Sequence, residues 1–242
     1  MSTETTVALR AGFGRLSLIA TIVLFVSSGS GEAQEDRTIV RIEEDWVALI
    51  RSPDSGNTAP QIVNVISPGG DSSALTGIIE LNHSSQPVFQ AGGYQIQAWN
   101  GETLQASVRS SEYRSLHQAM DRLEYTVVME KTDDGLAFGI SNGKSKSWGR
   151  FAHHTELLEV PVRNVDLAEY RPEDSVVNTN VNVGAHRVEV LYQKAVRRRF
   201  SDGSIETDDT MRVIHRFQEL VEVVSLSDYD RNADFYNIEI DE

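Results

Sequence analysis

Apolar and polar residues alternate along most of this chain. In Leu123-Glu-Tyr-Thr-Val-Val-Met129, positions 123, 125, 127 and 129 fall on one face, with Glu124, Thr126 and Glu130 on the other, as a half-buried strand requires. Similar runs occupy residues 38–42, 46–51, 61–66, 77–83, 94–99, 104–108, 136–141, 176–183 and 188–200. Turn residues separate them: Ser67-Pro-Gly-Gly70, Gly92-Gly93, Asn100-Gly101, Asp133-Asp-Gly135, Asn142-Gly143 and Asp202-Gly203. Asn-Gly and Asp-Gly accept the positive φ angles of tight hairpins at little cost. Helical periodicity is nearly absent. Tyr113, Leu116 and Met120 share a stripe that predicts one short helix over residues 112–122. Residues 211–226 read as strand up to His215, and as either helix or strand beyond it. The expected fold is all-β, an antiparallel β-sandwich or jelly roll with at most one or two short helices.

The amino end departs from this pattern. Arg10 and Arg15 precede an apolar run over residues 16–26, followed by small residues and Gly31-Glu-Ala33. This reads as a signal peptide over residues 1–33, because the run is shorter than the ~20 residues a spanning helix needs. The expected organisation is a leader (1–33), one sandwich domain (34–226) and an acidic tail (227–242). No stable membrane span remains after cleavage, and the expected location is secreted, periplasmic or at the cell envelope.

Composition narrows the partners. Removing residues 1–33 takes away two basic residues (Arg10, Arg15) and two acidic ones (Glu4, Glu32), so the net charge stays at −14. Such a surface repels phosphate backbones, which excludes nucleic acid as a partner while admitting cations and glycans. The chain has no cysteine, so its stability rests on an ordinary core without disulfides.

Several motifs carry candidate chemistry. In the tail, Asp228, Asp230, Asn232, Asp234 and Glu239 resemble an EF-hand calcium loop counted from Asp228. Ala233 stands where that loop has glycine, and only Ile240-Asp-Glu242 follow Glu239, too few for the exiting helix. Calcium is the one cofactor these residues could take; the alternative is a solvated acidic tail. Gly139-Ile-Ser-Asn-Gly143 fits the G-x-S-x-G of a serine-hydrolase elbow, but Asn142-Gly143 reads as a hairpin and residues 148–151 as the next strand, where the elbow needs a helix. Gly143-Lys-Ser145 falls one residue short of a phosphate-loop spacing. His153 and His154 are adjacent, so in a strand they face opposite ways and cannot share a metal, while in a loop they could. Arg197 and Arg199 fall on one face and Arg198 on the other; charges guarding a sheet edge, or pairing with a neighbour's acidic tail, account for them.

Two functional classes follow. A glycoside hydrolase needs two carboxylates about 5 to 9 Å apart on one face. No central strand supplies such a pair on inspection, and Glu43-Glu-Asp45 is contiguous and points both ways. Binding fits better: Gln95, Gln97 and Trp99 share one face by alternation and form a glycan platform, an indole to stack on a sugar with amides for its hydroxyls. The competing reading makes Trp99 a core residue. The leading expectation is a non-enzymatic module that binds a glycan or an extracellular protein, and the rival is a glycoside hydrolase-like enzyme whose carboxylates come from different strands.

Overall fold

A computed structural model describes residues 37–52, 62–81, 93–110, 116–181 and 187–217. All of them belong to the compact unit Arg37–Glu242. The alternating runs form strands: β1 (Ile39–Ile50), β2 (Ile62–Ile66), β3 (Leu75–Leu81), β4 (Tyr94–Asn100), β5 (Thr103–Arg109), β6 (Asp121–Lys131) and β7 (Gly135–Ser145). They continue as β8 (Gly149–Phe151), β9 (Glu156–Pro161), β10 (Asn180–Val181), β11 (Val188–Phe200), β12 (Ile205–Asp208) and β13 (Arg212–Arg216), with one helix, α1 (Pro172–Asn178). The larger sheet has eight strands in the order β12-β11-β1-β6-β7-β8, with β13 also on β11 and β9 also on β7. The smaller has five, β10-β2-β3-β4-β5. Every pairing is antiparallel, so the fold is the expected all-β sandwich.

Alternation places one face of each sheet in a shared core. Ile42, Trp46, Ala48 and Ile50 of β1 and Leu123, Tyr125, Val127 and Met129 of β6 turn inward, where they meet Ile62, Ile79 and Ile96 of the smaller sheet. The sheets approach closely at Gly77, where an added Cβ would lie 2.2 Å from the Phe138 ring. A glycine there makes room for that fully buried phenyl. Tyr94, Trp148 and Phe151 pack as an aromatic group, with Trp148 edge-on to Phe151 at 5.0 Å.

Four local expectations change. Asn142-Gly143, read as a hairpin, lie inside strand β7 (Gly135–Ser145), which turns only after Ser145. The helix expected over 112–122 is not formed over its described part: residues 116–120 run as coil and turn, and Asp121 and Arg122 already belong to β6. The tertiary demand for a long partner to β1 outweighs a weak helical stripe. The strand expected over 176–183 begins as helix, because Pro172 at the first turn with Glu173 and Asp174 behind it starts α1. The helix ends at Thr179, whose hydroxyl accepts the Val65 amide at 3.0 Å beside the edge pairing of β10 with β2. The two runs read over residues 38–42 and 46–51 join in the single strand β1 (Ile39–Ile50).

Candidate functional site

The outer face of the larger sheet carries an open groove of about 320 Å³ across four adjacent strands. Asp45 and Val47 of β1 and Glu124 and Thr126 of β6 lie on one face by alternation and register, Asp45 opposite Thr126 and Val47 opposite Glu124. Trp46 and Tyr125 also border the groove, but their side chains turn to the core, so their contribution is main chain.

Two β-bulges bring in the remaining side chains. On β11, Asp45 pairs with Ala195 and Trp46 with Gln193, which leaves Lys194 as the extra residue. On β7, Thr126 pairs with Ser141 and Glu124 with Lys144, so Asn142-Gly143 stand opposite Tyr125 alone. Asn142 adopts φ 55°, a left-handed conformation that asparagine tolerates better than most residues. A bulge bends its strand and re-aims the extra side chain. The two bulges lie at the same level on either side of the β1–β6 pair, and both Lys194 and Asn142 line the groove.

The charges in the groove are mostly matched. Arg197 binds Asp45 through both terminal nitrogens, one of them at 2.8 Å from Oδ1, and its Nε donates to Glu43 at 3.0 Å. Thr126 donates its hydroxyl to Asp45 at 2.8 Å. Glu43 also takes Arg199 Nε at 3.2 Å and Arg41 Nε at 2.9 Å, and Arg41 reaches on to Glu130 at 2.7 Å. Burial alone would raise the Glu43 carboxyl, but hydrogen bonds from Arg199 and Arg197, with the charge of Arg41, hold it below its ordinary value. Arg122 Nε donates to Glu124 at 2.7 Å. Lys194 is exposed and has no ion pair or hydrogen bond among the described residues.

These contacts revise two sequence readings. The arginines do not guard an edge, because β11 lies inside the sheet between β1 and the strands β12 and β13. Arg197 and Arg199 serve Glu43 on the outer face, while Arg198 faces the other way, 5.7 Å from the Tyr170 ring. Glu43 and Asp45 do form a same-face carboxylate pair on a central strand, about 7 Å apart along its axis. The signal was in Glu43-Glu-Asp45 but needed the strand's central position to be seen.

Glu44, between them, points inward and is fully buried. Tyr170 donates its hydroxyl to Oε1 at 2.6 Å and Trp46 its indole N–H to Oε2 at 2.9 Å. Burial raises this carboxyl above its ordinary value against the opposing effect of Ser175, Tyr170, Trp46 and Gln193. The Ser175 hydroxyl and the Gln193 amide nitrogen face it without reaching hydrogen-bond geometry. Nearby, Tyr125 donates to Asn64 Oδ1 at 2.7 Å, which ties the two sheets together.

The expected platform lies on the outer face of the smaller sheet. Gln95, Gln97 and Trp99 stand opposite Glu80, Ile78 and Thr76. Trp99 is half-buried and outside the core. Its indole donates to Gln97 Oε1 at 2.7 Å, and Gln97 Nε2 donates to Glu80 at 3.1 Å. Gln95 is buried, and its Oε1 accepts no hydrogen bond among the described residues.

The other motifs resolve simply. Ser141 is buried within β7, which continues as strand past it, so no nucleophile elbow forms. His153 and His154 occupy a bend. Among the described residues no three His, Asp or Glu side chains group as metal ligands, and no helix is long and apolar enough to cross a membrane. The leader and the calcium-loop residues Asp228, Asp230, Asn232, Asp234 and Glu239 lie outside the described residues. Compared with protein-family models, curated proteins and solved structures, the chain matches none.

Proposed function

We propose that this chain is an exported, non-enzymatic β-sandwich module that binds a glycan or protein partner at the cell envelope or outside the cell, with the groove on the larger sheet as its seat. The observation that carries the reading is the pair of bulges delivering Lys194 and Asn142 into one cavity. Bulges cluster where a sheet must re-aim a side chain, often beside a functional site. Binding is favoured over hydrolysis because Glu43 and Asp45 are both engaged by Arg197. An acid catalyst would have to be protonated near neutral pH, and the arginines around Glu43 hold its carboxyl below its ordinary value.

The platform Gln95, Gln97 and Trp99 is a second reading, favoured by the hydrogen-bond chain from Trp99 through Gln97 to Glu80, which fixes the indole on an outer face. A glycan array probed with the mature protein, with Lys194→Ala/Asn142→Ala and with Trp99→Ala separates the two. Loss of a hit in the double variant supports the groove. Loss only in Trp99→Ala moves the site to the smaller sheet, and an array with no hit removes the glycan from the proposal.

A further inference from the structure

The charges of the groove say what kind of ligand fits it. Asp45 is matched by Arg197 and Glu124 by Arg122, so their carboxylates carry little uncompensated charge yet keep lone pairs that accept hydrogen bonds. Lys194 is the exception, an exposed ammonium without a partner among the described residues. Asn142, exposed across the groove on the facing bulge, offers an amide whose contact within the protein is a long 3.4 Å bond to Ser141. One ammonium and one amide thus stand over a floor that accepts hydroxyl protons. Val47, 3% exposed, adds a small apolar floor beneath them.

We infer that the groove takes an acidic saccharide with a single uronic-acid ring in an otherwise neutral chain, with Lys194 and Asn142 holding the carboxylate and Asp45 and Glu124 accepting ring hydroxyls. This rests on the groove being the binding seat. A single carboxylate matches Lys194, the one cation lining the groove without a partner among the described residues. A densely charged chain, such as a polysulfate or a nucleic acid, would gain the same contact but meet the repulsion of a protein carrying −14 charges. A neutral sugar would leave the ammonium without its charge-assisted bond, the stronger kind of hydrogen bond.

The test is titration calorimetry with a neutral oligosaccharide carrying one galacturonate ring, its carboxyl-reduced counterpart and a fully sulfated oligosaccharide of the same length. The wild type is expected to bind the uronate about tenfold or more tightly than the neutral sugar, the size of one charge-assisted hydrogen bond. Lys194→Met is expected to erase that difference and Lys194→Arg to restore most of it. Lys194 is exposed, so an unchanged urea midpoint in Lys194→Met will confirm an intact fold. Equal affinity for uronate and neutral sugar, unaltered by Lys194→Met, overturns the uronate while leaving the groove as a neutral-glycan site. Tighter binding of the sulfated chain overturns the match of one carboxylate to one cation. Uronate binding that survives Lys194→Met but is lost in Trp99→Ala overturns the inference together with the groove as seat.

Discussion

A carboxyl inside a sandwich is tolerated only where donors surround it, and Glu44 is held by Tyr170 and Trp46. Its raised value has a consequence of definite sign. Above the unfolded value near 4.5, the native state keeps a proton that the unfolded chain has lost, so stability falls as pH rises through the folded value. Glu44→Gln removes this dependence. Urea unfolding from about pH 4 to about pH 8 should show the wild type losing stability relative to the variant, and parallel curves would refute the buried acid. Glu43 has the opposite sign: lowered by its arginines, it contributes stability above about 4.5 that is lost as pH falls through the folded value. Arg197→Met leaves Glu43 and Asp45 without their shared partner. The expected cost is about 2–3 kcal/mol by chemical denaturation, below the figure for a fully buried pair because the Arg197 side chain is 26% exposed.

Among the elements, what alternation could reach was legible. The run 188–200 matches β11 from end to end, and β13 was anticipated up to His215. The bulges were not, because a bulge is a mismatch between two strands and neither strand alone records it. The same limit hid the groove, whose lining comes from four strands far apart in sequence. The short helix was missed because Val176-Val177 suggest a strand; Pro172 with two acids after it was the available start signal. Sheet spacing gives a sharper prediction. Gly77→Ala drives a methyl into the Phe138 ring, and the expected loss is about 2–3 kcal/mol in thermal or chemical unfolding, whereas Gly101→Ala in an open turn meets no atom within 4 Å and suffers only from its φ of 56°.

For the molecule as a whole, acidity and two sheets with different outer faces frame the proposed binding. The smaller sheet presents Trp99 locked to Gln97, its polar groups turned towards one another, while the larger presents an ammonium without a partner among the described residues, above ion-paired acids. A surface at −14 disfavours polyanions at long range, and on the proposed reading discrimination among sugars falls to the groove. Binding that depends on Lys194 should weaken with added salt about as one ion contact does, far less steeply than binding to a phosphate polymer. The most direct measurement is a backbone amide NMR titration of the isotope-labelled protein with an oligosaccharide carrying one uronate ring. Shifts are expected to concentrate at residues 45–47, 124–126, 141–143 and 193–195. Shifts confined to residues 76–80 and 95–99, or no shifts at all, would contradict the groove as the place where this protein meets its ligand.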